Sequence, residues 1–183
     1  MFIQTEETPN PATLKFLPGR LLMETGTADF KSQEEALTSP LATKIFESEG
    51  IKGVFFGADF ITVSKDDSFE WIVLKPPILG AIMEHFITHQ PLFYKDRVAI
   101  SNDHDEDPLV REIKELLDTR IRPAVAMDGG DIVFDSFKEG ILYVRLQGAC
   151  SGCPSSSATL KGGIENMLRH YVPEVLEVRA LDD

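Results

Sequence analysis

The chain has 183 residues, enough for one ordinary domain or two small ones, and its composition, 43% apolar and 26% charged, excludes a collagen-like or broadly disordered protein. Its 30 acidic and 18 basic side chains leave a formal charge of −12, which argues against a broad basic face for nucleic acid or anionic lipid. No run reaches the roughly 20 apolar residues of a membrane helix, since the most apolar stretch is interrupted by Gly57 and Asp59.

Taken in chain order, the prolines of Thr8-Pro9-Asn10-Pro11 push their neighbours out of the helical region and mark a turn between two strands, expected over residues 2–5 and 13–16. A third strand is expected over 20–24. Ser39 followed by Pro40 reads as a cap and first position of a helix with Leu41, Ile45 and Phe46 on its apolar face and Gly50 as its C-cap. Residues 54–56 and 60–63 read as a hairpin, and Trp71 with Ile72, Val73 and Leu74 as core. Leu79, Ile82, Met83 and Phe86 form one stripe of a helix over 77–89 that leaves His85 and His89 on a polar face, with no third ligand to make them a metal site.

Residues 98–107 are polar and strongly acidic and lead into Pro108, so they form a linker rather than a core. Beyond them, Asp107 and Pro108 open a helix carrying Leu109, Ile113, Leu116, Leu117 and Ile121, which Pro123 is expected to end. Asp128-Gly129-Gly130-Asp131 is spaced unlike a calcium loop and is read as a turn with one glycine at positive φ that holds neighbouring loops in shape. Strands are expected over 132–137 and 142–147, then a helix over 155–170 and a last strand over 175–180. Gly162 and Gly163 inside that helix imply a weak segment or close approach of another backbone. The fold class is α+β: two small α+β domains, residues 1–97 and 108–183, joined by an acidic linker, the second domain being αββαβ.

Only two cysteines occur, Cys150 and Cys153, in a loop between a strand and a helix. That is too few for a disulfide framework, and four readings compete. Thiol–disulfide exchange would place the first cysteine at the helix cap, whereas Pro154 puts both ahead of the helix. Metal or cluster binding fits the glycine-containing loop beside a helix N-terminus better, yet zinc and iron–sulfur sites want about four ligands. A pair from each of two chains at a symmetry axis would complete the set, and a cluster held that way suits transfer. The bland reading leaves the thiols as spectators.

The succession Ile121-Arg122-Pro123, Asp128-Gly-Gly-Asp131, Gly148-Ala-Cys150-Ser-Gly-Cys153-Pro154, Thr159-Leu160 and Ile164-Glu165 resembles the C-terminal domain of the NifU-like (Nfu) iron–sulfur scaffold and carrier proteins. The opening, Phe2 to Gly19, is similar to their N-terminal domain. The resemblance implies a non-catalytic carrier, not an enzyme. It implies a [4Fe-4S] cluster bridging a homodimer through Cys150 and Cys153 of each subunit, accepted from upstream cluster-assembly proteins and passed to apo iron–sulfur proteins. Neither a three-cysteine assembly domain nor a ferredoxin-like middle domain accompanies it, which favours carriage over cluster building. The runner-up function is a CxxC thiol–disulfide oxidoreductase, and a third is a structural zinc protein. The first residues lack the pattern of a signal or transit peptide, so a bacterial cytoplasmic chain is expected, with a processed mitochondrial matrix protein as the alternative.

Overall fold

The computed structural model describes residues 2–94, 107–152 and 154–181. The chain divides into two compact units, Met1–Ile100 and Ser101–Asp183. Residues 98–106 of the acidic linker lie outside the described residues.

The first unit is built on a five-stranded antiparallel sheet in the order β1-β2-β5-β4-β3: β1 Gln4–Glu7, β2 Thr13–Leu17, β3 Ala28–Phe30, β4 Ile51–Phe56 and β5 Ile61–Lys65. Three helices accompany it, α1 Gln33–Ala36, α2 Pro40–Phe46 and α3 Trp71–Ile87. Cross-strand register aligns Phe16, Ile61, Phe56 and Ala28 in one row and Leu14, Val63, Val54 and Phe30 in the next. Both rows are buried against Leu41 and Ile45 of α2 and Leu74, Ile78 and Ile82 of α3. Each such aliphatic or aromatic side chain contributes about 1.5–3 kcal/mol by leaving water.

Several expectations fail here. The strand over 20–24 is absent, because Gly19 at φ +70° and Gly26 at φ +72° turn the chain at both ends of the segment. Leu22 and Met23 instead donate their amides to the single carbonyl of Ala58, at 2.7 and 3.1 Å. Helix α3 starts at Trp71 and runs through Pro76 and Pro77. The carbonyls those prolines cannot bond belong to Ile72 and Val73, residues that are 82% and 65% exposed, where water is at hand to replace the missing donors and the helix can tolerate the loss. Ile72 and Val73 are therefore surface rather than core, and Trp71 is half-buried with its indole N–H donating to the Pro11 carbonyl at 3.2 Å. The buried stripe of α3 is also displaced, to Leu74, Ile78, Ala81, Ile82 and His85, leaving Met83 outside and His85 inside. Helix α2 is capped by Ser39 as expected but ends at Phe46. Gly50 serves the following turn at φ +94°, where a Cβ would strike the Phe69 ring.

The second unit has helices α4 Pro108–Leu116, α5 Arg122–Met127 and α6 Pro154–Tyr171 and strands β6 Gly130–Lys138, β7 Ile141–Gly148 and β8 Glu177–Leu181. The sheet order is β6-β7-β8, antiparallel then parallel, so α6 is the crossover that a parallel pair requires and the unit is αββαβ. Asp107 caps α4 by accepting the Leu109 amide at 3.0 Å. Pro123 does not end the helical run. A π-helical turn over Leu117–Ile121 lets the Arg122 amide reach the Leu117 carbonyl, and Pro123 then falls in the first turn of α5, where its missing N–H costs little. Ile113, Leu117, Ile121 and Val125 meet Ile132, Leu142, Val144 and Val178 of the sheet and Ile164 and Leu168 of α6 in one core. A Cβ on Gly162 or Gly163 would meet open space among the described residues, so no backbone packs against them there. No helix among the described residues is long and apolar enough to cross a membrane.

Candidate cluster-binding loop

The cysteine loop begins where the β6–β7 ladder ends. Gly130 pairs with Gly148 as the last rung, and Gly148 at φ +62° turns the chain out of the sheet. Backbone hydrogen bonds shape the loop: Ser151 N–H donates to the Gly148 carbonyl and Ala149 N–H to the Gly129 carbonyl, both at 3.1 Å. Gly152 then takes φ +69°, a conformation that suits a residue without a Cβ. Helix α6 begins at Pro154. Cys153 lies outside the described residues.

Cys150, expected on a loop outside the apolar stripes, is instead 4% exposed and part of the core of its unit. The cause is Gly130: a Cβ there would stand 2.5 Å from the Cys150 Sγ, 2.8 Å from the Gln147 carbonyl oxygen and 3.0 Å from the Cys150 nitrogen. Real Cβ contacts do not come so close, so the absent side chain of Gly130 is the space the sulfur occupies.

The Asp128–Asp131 segment behaves as the expected turn. Gly129 adopts φ +80°, and Asp128 caps the end of α5. Asp131 is 3% exposed, which would be costly for a lone carboxylate. It is matched by Arg122, whose Nε donates to Oδ1 and Nη2 to Oδ2, both at 2.8 Å, and by the Ile132 amide at 2.8 Å. Arg122 Nη1 also reaches Asp118 Oδ1 at 2.9 Å, and these bonds, Asp131's first, hold the guanidinium pKa well above its ordinary value. The turn carrying Gly129 and Gly130 is thus anchored to the start of α5 on one side and clasps the cysteine loop on the other. Apolar periodicity and motif spacing assign no role to Arg122. Its signal in the sequence is the spacing of four residues to Asp118 together with an acidic residue closing the glycine turn.

The histidines add no ligand to this loop. His85 and His89 belong to the other unit, His170 lies at the far end of α6 against Tyr171, and His104 is outside the described residues. Among the described residues no three His, Cys, Asp or Glu side chains come together to hold a metal ion.

A family model described as "Scaffold protein Nfu/NifU N terminal" matches residues 3–89, and one described as "NifU-like domain" matches residues 113–179. The chain is 54% identical over 181 residues to "NifU-like protein 4, mitochondrial" of Arabidopsis thaliana, covering 96% of this chain and 64% of that one. It is 49% identical over 185 residues to "NFU1 iron-sulfur cluster scaffold homolog, mitochondrial" of Homo sapiens, covering 100% of this chain and 73% of the human one. The chain therefore spans about two thirds of the length of these curated relatives. With both domain matches falling in order along its two units, the chain belongs to the NifU-like (Nfu) family.

Proposed function

We propose that this protein is a non-catalytic carrier that holds a [4Fe-4S] cluster between two copies of itself, Cys150 and Cys153 of each supplying four thiolates, and delivers it to apo iron–sulfur proteins. Upstream cluster-assembly proteins supply the cargo. The observation that supports this most is the seating of Cys150 on a glycine-hinged loop in a domain that matches the NifU-like family and has only two cysteines. The iron–sulfur scaffold name of the human relative supports the same reading. The mitochondrial names of the relatives support a mitochondrial setting over the bacterial cytoplasm.

Delivery is ligand exchange. Recipient thiolates replace those of the carrier on iron one after another, with no change in the number of irons or sulfides. In the cluster-free chain Cys150 is buried, so loading turns its sulfur outward, about Gly148 and Gly152, toward the second copy.

Anaerobic reconstitution with iron and sulfide tests the proposal. Two thiolates per chain fill half of a four-thiolate shell, so iron should approach about two per chain and the loaded form should have twice the mass of one chain. Four irons on a strictly monomeric chain would refute the shared site, and zinc retained in preference to iron would refute the cargo.

A further inference from the structure

Among the described residues, side chains of the first unit alone line two cavities. The smaller, about 300 Å³, is lined by Arg20, Leu22, His85, Phe86, His89 and Leu92 among others. The larger, about 500 Å³, runs past Phe2, Leu17 and Asp59 and shares Arg20 with the first. Arg20 is the residue that the missing strand would have placed in the sheet. Gly19 at φ +70° and the two bonds to Ala58 hold it in a loop instead, with its guanidinium carbon 5.7 Å from the centre of the Phe86 ring. Among the described residues it has no carboxylate partner.

His85 lines the smaller cavity. It is 7% exposed, and its Nδ1 has no hydrogen-bond partner among the described residues, a condition that costs stability unless something supplies one. Burial holds its pKa below the ordinary value, so the ring is neutral at pH 7 and offers one donor and one acceptor rather than a positive charge. His89 sits just beyond α3 at φ +54°, a strained conformation for a residue with a Cβ, and its Nδ1 lies 2.9 Å from the Ile87 carbonyl. In that contact Nδ1 donates to the carbonyl.

A volume of about 300 Å³ lies at the low end for ligand sites and suits one or two side chains rather than a nucleotide cofactor. Leu22, Phe86 and Leu92 give an apolar wall. In a chain of net charge −12, an unpaired guanidinium where two cavities meet is a local reversal of sign that complements an acidic group. Asp59 on the larger cavity disfavours a second acid beside the first.

We infer that this cleft binds an extended segment of a partner polypeptide that carries one carboxylate beside an aliphatic residue. The carboxylate pairs with Arg20, the aliphatic side chain fills the smaller cavity against Phe86, and a polar group of the segment's backbone partners His85 after rotation of its ring. This binding involves the first unit alone and is independent of the role assigned to the cysteines.

The test follows histidine-ring and backbone resonances of the full chain by NMR during titration with three capped peptides. Acetyl-Leu-Glu-Leu-amide carries a side-chain carboxylate, acetyl-Leu-Leu a terminal one, and acetyl-Leu-Gln-Leu-amide none. Saturable shifts at His85 and His89 are expected with one or both acids, and the tighter acid identifies the source of the carboxylate. The glutamine peptide should bind at least about fivefold more weakly, and Arg20→Gln, a change at an exposed position, should remove that preference. Equal affinity for the glutamine peptide, an unaltered preference in Arg20→Gln, or no shift at either histidine up to about 10 mM would overturn the inference.

Discussion

In the second unit the buried carboxylate of Asp131 is met by two nitrogens of Arg122 and by a backbone amide, whereas in the first unit the buried imidazole of His85 keeps a nitrogen with no partner among the described residues. Both units cover a sheet with helices, so the contrast does not come from the packing plan. A fully matched polar group fixes geometry, and around Cys150 it fixes the turn against which the sulfur rests. An unmatched one beside a cavity leaves a bond to be made by something else. One unit thus fixes a single atom, whereas the other leaves a polar atom unmatched on a cavity wall, and each half of the contrast can be broken separately.

The largest effect should come from the thiols. Changing Cys150 or Cys153 to serine removes a soft thiolate from an iron site and should abolish the stable cluster, measured as iron per chain after desalting. The Cys150 variant should also lose stability, because a serine there puts a hydroxyl in the core, costing about 1–3 kcal/mol if it finds no partner. That is several degrees in Tm for a unit of this size. A normal cluster in either variant would show that the ligand set is wrong.

Gly130→Ala is expected to be next. Its methyl would collide with the Cys150 Sγ and the Gln147 carbonyl, and overpacking of this kind costs about 1–3 kcal/mol. If the cost is relieved by expelling the sulfur, alkylation of Cys150 in the cluster-free protein should quicken by about tenfold, the equivalent of 1.4 kcal/mol. Gly162→Ala is the control, since its methyl meets open space on α6 and should add up to about 1 kcal/mol of stability without altering Cys150. Equal alkylation rates in the two variants would remove Gly130 from the seat of the sulfur.

Smaller again is Asp131→Asn, which keeps the shape of the side chain but leaves Arg122 with a neutral acceptor. Hydrogen bonds to charged groups contribute about 1.5–3 kcal/mol, and part of this survives through Asp118. Thermal unfolding should occur a few degrees lower. At a temperature where the chain remains folded, the cluster should load to the same extent and be lost about threefold faster, since the turn that clasps the loop is less firmly anchored. Unchanged cluster lifetime would confine the ion pair to stability.

The αββαβ order of the second unit, the alternation of Leu142 and Val144 with Tyr143 and Arg145, and the turn at Gly129 are all legible in the sequence, because strand periodicity and glycine punctuation act within a few residues. The course of α3 through Pro76 and Pro77 is not, because it depends on which carbonyls face water, and that is decided by the orientation of the whole helix on the sheet. The depth of Cys150 is hidden for a similar reason. Nothing near it in sequence indicates that Gly130, 20 positions earlier, lies against its sulfur just past the last rung of the ladder. The missing strand over 20–24 is the same lesson at small scale, since an apolar Leu21-Leu22-Met23 reads as a strand until the single carbonyl of Ala58 claims two of its amides.

The most selective effect, confined to recipients that dock, is expected from deleting residues 1–97. The second unit has its own core and both cysteines, so the remaining fragment should fold and take up cluster to the same iron content as the full chain. What it would lose is contact. A recipient docked on the first unit is held near the cysteine loop by a tether, and tethering raises its effective concentration only while the free recipient is dilute compared with the value the linker imposes, which is of millimolar order. Transfer to a recipient that docks should therefore slow by severalfold at low micromolar acceptor, and the deficit should shrink as acceptor is added, whereas a recipient that does not dock should be served equally by both proteins. Timing transfer to two apo-acceptors across a concentration series distinguishes these outcomes. A deficit independent of acceptor concentration would assign residues 1–97 to the chemistry of release rather than to recruitment, and equal rates for both acceptors throughout would leave the Arg20 cleft without a part in delivery.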